Sequence, residues 1–212
     1  FEGVEGVLAH IDHMGDDMIH HVDVFIDPSP PALALALAEA GGEELTTADR
    51  MSRYDVNPVV SHEPGAGAPV VEEHNPHLRN LFGRVEGQMR FGVMTTDFTR
   101  IAPGAAHRAL GGYLLVRAEE VLGRPMAWPA LKRTLRSRRL VPVDPMSETG
   151  LFAMQSLEPE PIPADLTVVL VGEPQTFYLL QQLDADFDEV FKVKVDFATD
   201  MDRDAAAERK YV

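Results

Sequence analysis

Histidine and carboxylate side chains near the amino terminus are the first residues whose spacing could support chemistry. Residues 4–26 place apolar side chains at three- and four-residue spacing, which predicts an amphipathic helix. On its polar face His13 and Asp17, and likewise Asp16 and His20, are four residues apart, a spacing that could bring imidazole and carboxylate ligands to one metal ion. Helix-bound zinc motifs normally carry a more specific frame such as H-E-x-x-H. We therefore favour a solvated acidic face and predict no metal site.

The short motifs that would carry catalysis are missing from the sequence. It has no cysteine, which excludes thiol nucleophiles, thiolate metal sites and disulfides. It has no G-x-x-x-x-G-K-[ST] phosphate loop, since the glycines at 65 and 67 lack the lysine and the helix that must follow. No serine lies in a G-x-S-x-G elbow. We predict no catalytic residue in this chain and no tight binding of ATP by it.

Leu81, Phe82 and Gly83 form a candidate binding site. Two large apolar residues precede a glycine in a segment that is rich in polar residues and contains Asn75-Pro76, a pattern typical of a loop. The pair could anchor the loop in the core, or it could be exposed and grip another molecule. The flanking residues Arg79 and Asn80 are of types that resist burial, so we favour the exposed grip.

The elements that would position these side chains are organised around residues 104–121. A short helix pattern ends at Gly111-Gly112, and the apolar residues 113–116 predict a strand buried on both faces. A second helix pattern begins at Glu119-Glu120, at the carboxyl end of this strand, where open α/β sheets place their ligands. Other segments predict strands at 54–60, 91–96, 140–143, 167–171 and 191–197, and helices at 128–138 and 175–183. This alternation predicts an α/β fold with a largely parallel sheet.

Composition limits the partners of the chain. With 34 acidic residues against 19 Lys and Arg, the formal net charge is −15. This argues against nucleic acid and membrane surfaces as partners, because neutralising phosphates requires clustered basic residues. The one basic run, at residues 132–139, is typical of a solvated helix face. No apolar run approaches the roughly 20 residues of a spanning helix and no signal segment opens the chain, so we expect a cytoplasmic protein.

The two ends suggest an excerpt of a longer protein. The chain begins at Phe1 without an initiator Met, and it stops at Val212 within a helix pattern that has no capping signal. Residues 27–52 follow the first helix with a proline-rich break and a short Ala/Leu segment that favours a helix. Residues 1–52 are therefore predicted to be a helical appendage.

From Arg53 to Val212 the chain carries a series of motifs in the order RYDVN, GAPVVEEHNP, NLFGRVE, FGVMTTDFTRI, HRA with GGYLL, WPALKRTLRS, SLEPEPIP, VVLVGE and FKVKVDF. This series resembles the ATPase module of Lon-related proteases, which are AAA+ proteins. Two positions depart from the family pattern: Leu110 replaces an Asn, and Arg117 replaces an Asp. The first helix resembles the carboxyl-terminal end of the long helical insertion of that family.

The resemblance implies part of an AAA+ three-layer sandwich. Residues 53–200 would form the partial α/β core, and residues 201–212 would begin a helical lid subdomain. It further implies a homo-oligomeric ring that grips unfolded proteins and feeds them to an attached Ser/Lys protease domain. ATP and Mg²⁺ would act in the parent family, and none is expected to bind this chain alone. The alternative is an inactive peptide-binding or scaffold module derived from that family.

The resemblance assigns family site positions to some residues of this chain, and not all of these residues are of the type that the family uses. The resemblance places Leu81, Phe82 and Gly83 at the pore loop that contacts substrate. Arg117 stands where a nucleotide site uses Asp to hold Mg²⁺. Glu173 matches the position of a polar sensor residue, and Lys192 lies near an arginine finger, although lysine lacks the planar fork of arginine. The implied nucleotide site is therefore degenerate, and the ring would act either as an ATP-driven machine or as a gate.

Overall fold

The architecture comes from a computed structural model, which describes residues 5–26, 51–63, 65–90, 93–142, 157, 159–198, 200 and 203. The helices are α1 Glu5–His20, α2 Asp23–Ile26, α3 Leu78–Phe82, α4 Ala105–Arg108, α5 Ala118–Leu122, α6 Ala127–Ser137, α7 Pro174–Leu183 and α8 Phe187–Val190. The strands are β1 Val70–Glu73, β2 Arg84–Val85, β3 Gln88–Arg90, β4 Val93–Thr95, β5 Ile101–Ala102, β6 Tyr113–Arg117, β7 Arg139–Leu140, β8 Ile162–Pro163 and β9 Thr167–Val171. Ser52–Tyr54 and Phe98–Arg100 form single 3₁₀ turns.

A parallel sheet of three strands, in the order β1–β6–β9, lies at the centre of the described residues. Val70 pairs with Tyr113, and Tyr113 pairs with Thr167, so the three strands start level with one another. Gly112 permits this start, because a Cβ atom there would collide with the backbone oxygen of Pro69. The predicted α/β class with a largely parallel sheet is confirmed, and the apolar run 113–116 is its central strand.

Side chains are buried on one face of this sheet and exposed on the other. Successive residues of a strand point to opposite faces, and the alternate positions Leu114 and Val116 of β6 are buried in the main hydrophobic cluster, to which Leu131 of α6 also belongs. On the other face, side chains such as Val70 and, on β6 itself, Tyr113 are exposed, so the prediction that this strand is buried on both faces is wrong. The described residues therefore form two layers of the expected three-layer sandwich.

Helices α6, α7 and α8 are joined by a polar network beside an aromatic cluster. The Trp128 ring lies 5.8 Å from that of Phe191, centroid to centroid. Trp128 Nε1 and Lys132 Nζ each donate to the Asp184 carboxylate at 2.7 Å. Burial raises the pKa of Asp184, but the hydrogen bonds from Lys132 and Trp128 outweigh burial and lower it. This network fixes the end of α7 against α6.

Three strand predictions need correction. Residues 55–60 form no strand, because Pro58 interrupts the segment and Asn57 instead donates from Nδ2 to the backbone oxygens of Phe98 and Ile101, both at 2.9 Å. Residues 191–198 also form no strand, and no described strand pairs with them. Of the predicted strand 140–143, Leu140 lies in the strand Arg139–Leu140, which pairs with Ile162–Pro163, whereas residues 141 and 142 are not in a strand.

The predicted amino-terminal helix is present as α1 and α2. It meets the rest of the chain at Tyr54, whose ring centroid lies 5.6 Å from that of Phe25. The Ala/Leu helix expected at residues 32–40 and most of the predicted lid at 201–212 lie outside the described residues, so the division into domains stays a prediction. No helix in the described ranges is both long enough and apolar enough to span a lipid bilayer.

Candidate functional site

The carboxyl edge of the parallel sheet gathers most of the predicted nucleotide-site positions. Strand β1 ends at Glu73, β6 ends at Arg117, and β9 leads into Gly172 and Glu173. Ligands of open α/β sheets bind beyond this edge, because the strand ends and the amino termini of the following helices converge there. Arg117 and Glu173 therefore lie at one edge of the sheet, and their assignment to a nucleotide site stays a prediction.

Glu119 joins β6 to β9 at this edge. Its Oε1 accepts hydrogen bonds from the backbone nitrogen of Glu173 at 3.0 Å and from Thr176 Oγ1 at 2.8 Å, which closes the first turn of α7. Gly172 leaves room for this contact, because a Cβ there would lie 2.8 Å from the same oxygen. The hydrogen bond from Glu173 is the main reason that the pKa of Glu119 is lowered, and Thr176 and the charge of Arg117 add to it.

Sequence reasoning missed this role of Glu119. The sequence pattern predicts only that Glu119 begins a helix. Its position two residues beyond Arg117, where β6 ends, was the available signal of a role at this edge. A carboxylate near the amino terminus of a helix stabilises the unpaired backbone donors there. Glu119 does this for α7, a helix more than fifty residues away in the chain.

Glu73 occupies the corresponding place at the end of β1. Its Oε1 accepts from the backbone nitrogen of Asn75 at 2.9 Å, and its Oε2 lies 3.7 Å from an Arg108 guanidinium nitrogen. Arg124 then donates to Asn75 Oδ1 at 3.1 Å. The Glu73 carboxylate is thereby committed to the turn that follows β1 and to Arg108.

The edge does not fit a magnesium ion. The position after the apolar run of β6 is Arg117, an exposed cation that has no carboxylate within ion-pair distance among the described residues. A fixed positive charge repels a divalent cation. Of the carboxylates at the strand ends, Glu73 and Glu119 already hold protein donors, which leaves Glu173 at the same edge as the Arg117 cation. Among the described residues, no group of three or more side chains that could hold a metal ion is found.

Lys192 is not brought to this edge by any contact in the structure. It lies in the unpaired segment 191–198 and is exposed, as are Val193 and Val195. The neighbouring Lys194 is held instead, since its Nζ lies 4.8 Å from the Phe177 ring centroid and 4.9 Å from that of Tyr178. The assignment of Lys192 to an arginine-finger position stays a prediction.

Leu81 and Phe82 are buried, contrary to the expectation of an exposed grip. Leu81 is 0% exposed and Phe82 is 1% exposed, and both belong to the main hydrophobic cluster with Leu131. They lie in the short helix α3, which packs on α4 and α6, rather than in a loop. The polar neighbours Arg79 and Asn80 remain outside because a helical turn separates a buried face from an exposed one. The anchor alternative is the one that fits this structure.

Gly83 and Gly104 cross at the end of α3. Gly83 has φ = 74°, and a Cβ on either glycine would collide with the backbone of the other. His107, which is fully buried, accepts a hydrogen bond from the Gly104 backbone nitrogen at Nδ1 over 3.3 Å. Its Nε2 has no hydrogen-bond partner among the described residues. Burial, with a smaller contribution from the charge of Arg108, lowers the pKa of His107 to about 4, so the imidazole is neutral.

An arm begins at this glycine crossing. It is a two-stranded ribbon in which β2 and β3 form one side and β4 and β5 form the other. Strand β2 pairs with β5, and β3 pairs with β4, both antiparallel. Thr96 Oγ1 donates to the backbone oxygen of Glu86 at 2.8 Å between the two ladders. In the described chain these strands pair with each other and not with the central sheet. Leu81 and Phe82 therefore anchor the base of the arm.

The carboxylates of α1 are used for contacts within the chain or stay exposed. Asp17 accepts from Tyr54 at 2.9 Å and lies 3.4 Å from Arg53 and 3.2 Å from His21. His20 is hydrogen-bonded at Nδ1 to the backbone oxygen of Asp16 at 2.7 Å. No group of three or more metal-binding side chains is found in the residues that the structure covers.

Comparison with known proteins supplies the family. The family model described as LonB-like, AAA domain matches residues 66–198. The chain is also 28% identical over 113 residues to the "Putative Lon protease homolog" of Escherichia coli (strain K12). That alignment covers 50% of this chain and 18% of the relative, so the chain spans less than a fifth of the relative's length. The family model extends over more than half of the residues, and the chain therefore belongs to the LonB-like AAA domain family.

Proposed function

We propose that this chain is part of the AAA+ module of a Lon-related protease, in which copies form a ring in the cytoplasm and pass unfolded polypeptide to an attached Ser/Lys protease domain. The family match over residues 66–198 supports the module. The AAA domain type implies that the parent family uses ATP and Mg²⁺. The observation that carries the more specific proposal is the carboxyl edge of the sheet, which keeps its architecture but has Arg117 where a metal ligand is expected.

We propose that the ring acts as a gate rather than as an ATP-driven machine. Hydrolysis of ATP needs a metal ion to neutralise the phosphates, and Arg117 opposes such an ion. Glu119 holds β6 and β9 together without a metal, because its carboxylate is satisfied by Glu173 and Thr176. An edge that is closed by protein contacts alone can retain its shape through all stages of substrate passage.

We propose further that the arm, and not the pair Leu81 and Phe82, contacts the polypeptide. Both side chains are buried, whereas a two-stranded ribbon outside the main sheet offers backbone hydrogen-bonding groups along its edges. An extended peptide can pair with such an edge independently of its sequence. This property suits a ring that must accept many unfolded proteins.

Degradation of a permanently unfolded polypeptide by the full-length protein tests the proposal. We expect degradation that continues when ATP is omitted, together with little or no ATP hydrolysis. Arg117→Asp should allow Mg²⁺-dependent nucleotide binding, whereas Arg79→Asp, at an exposed arginine of α3, should not. Degradation that stops without ATP in the unmodified protein would show an ATP-driven machine. Calorimetry of the isolated chain should detect no micromolar binding of ATP with Mg²⁺.

The arm has its own test in the same assay. Replacement of residues 88–95 by a Gly/Ser segment of equal length should lower degradation at least about tenfold, since each lost backbone pairing weakens substrate binding. The melting temperature of this variant should stay close to that of the unmodified protein, because the core ends at the Gly83 and Gly104 crossing. Unchanged degradation would exclude the arm. If no polypeptide is degraded under any condition but peptides still bind, the chain is the inactive peptide-binding or scaffold module.

A further inference from the structure

The charge of this chain is divided unevenly along its length. Residues 1–49 contain 11 of the 34 acidic residues and none of the 19 Lys and Arg, so they carry −11 of the formal net charge of −15. Residues 132–139 contain five basic residues and no acidic one. Such a chain can bind a second copy of itself head to tail, because each copy offers both halves of a charge-complementary contact.

The acidic half includes the helix α1, which contacts few of the other residues that the structure describes. In α1, Asp12 and Asp16 are exposed and lie one turn apart, while Asp17 alone is tied to Arg53 and Tyr54. An apolar stripe of α1, its following turn and α2 is also exposed, although an amphipathic helix normally buries this stripe. The stripe consists of Leu8, Ile11, Ile19, Val22, Phe25 and Ile26.

The basic half includes three arginines that have no carboxylate partner among the residues that the structure describes. Lys132 and Arg136 are bound by the acidic residues that follow α7, at 2.7 Å from Asp184 and 3.1 Å from Asp186 respectively. The remaining guanidinium groups are exposed, and within the described residues no carboxylate lies at ion-pair distance from any of them. They belong to Arg133, Arg138 and Arg139, at the end of α6 and the start of β7.

We infer that α1 and α2 of one copy dock on the exposed arginines of α6 and β7 in the next copy. Asp12 and Asp16 would face these arginines, and the apolar stripe would lie beside Val141, which follows them and is itself exposed. Exposed ion pairs are individually weak, so burial of the stripe supplies much of the affinity while the charges set orientation and salt dependence.

This contact deepens the proposed ring and rests on it. Two different surfaces meet in a head-to-tail contact, and its repetition generates a closed ring when the rotation between copies closes. It is independent of nucleotide and of proteolysis. The ring proposal can therefore stand if this particular contact fails.

Sedimentation of the 212-residue chain at several concentrations and at about 50 and about 500 mM salt tests the inference. We expect concentration-dependent association that weakens as salt rises. D12K/D16K and R133E/R138E/R139E should each raise the dissociation constant at least about tenfold, since attraction is replaced by repulsion of similar size. All five positions are exposed, and melting temperatures check that each variant stays folded.

A mixture of the two charge-reversed variants provides the decisive experiment. The two variants should recover association when they are mixed, because the reversed helix of one then meets the reversed patch of the other. R138E and R79E change the net charge equally, and only R138E should weaken association.

Four outcomes would overturn the inference. They are absence of association at low salt, equal behaviour of all variants, association that strengthens with salt, and a salt-sensitive change in shape that is independent of concentration. Association that strengthens with salt would indicate contact through apolar surfaces such as the open face of the sheet. A change in shape that is independent of concentration would indicate docking of α1 within one copy. If association persists and the variants have no effect, the ring stands with another contact.

Discussion

Truncation of Phe82 to alanine tests whether the apolar pair of α3 anchors the core. Phe82 is 1% exposed and belongs to the main cluster, and its helix α3 contacts both α4 and α6. Replacement of a buried Phe by Ala costs about 3 to 5 kcal/mol, because apolar transfer is lost and a cavity remains. An exposed grip would change stability by no more than about 0.5 kcal/mol. Full burial of the ring leads us to expect about 4 kcal/mol.

Urea unfolding, followed by circular dichroism, measures this difference. Phe98→Ala is the matched control, since the same truncation is made at a side chain that is 38% exposed and outside the main cluster. We expect it to cost less than about 1.5 kcal/mol. If Phe82→Ala costs no more than Phe98→Ala, the ring is not a buried anchor and the account of the arm's base is wrong.

Three further predictions concern the contacts that hold the site. The pKa of His107 falls from an unfolded value near 6.5 to about 4 on folding, so the unfolded chain binds more protons than the folded chain between these values. Stability is therefore lost as pH falls from about 6.5 towards 4, by up to about 3 kcal/mol. A His107→Gln variant should lose less stability between pH 7 and pH 5, as measured by urea unfolding at both values. Gly104→Ala should lower the unfolding free energy by at least about 2 kcal/mol, because its Cβ would strike backbone that cannot move freely, whereas Gly15→Ala, in the open on α1, should be neutral or stabilising by thermal melting. Lys132→Met should cost about 2 to 3 kcal/mol by leaving the Asp184 carboxylate without its cation, and a double-mutant cycle with Asp184→Asn that shows no coupling would refute this pairing.

Elements with strong local signals could be predicted from the sequence. The apolar run after Gly111-Gly112 forms β6, TVVLV forms β9, and the amphipathic period of residues 128–138 forms α6. In each case the periodicity, the glycine punctuation and the residue types agree with one another. The ordered motifs also identified the family, which depends on sequence alone. The position of Arg117 at the carboxyl edge of the sheet followed from the same local pattern.

The tertiary structure decided features that depend on distant neighbours. Residues 191–197 alternate like a strand, but a strand forms only where another strand supplies hydrogen bonds, and none of those described pairs with them. Leu81 and Phe82 sit among polar residues in the sequence, and only the packing of α3 on α4 and α6 makes them core. Glu119 became a link between β6 and α7 because folding brought Glu173 and Thr176 to its carboxylate. Burial and hydrogen bonding are properties of the folded surroundings, and no local pattern contains them.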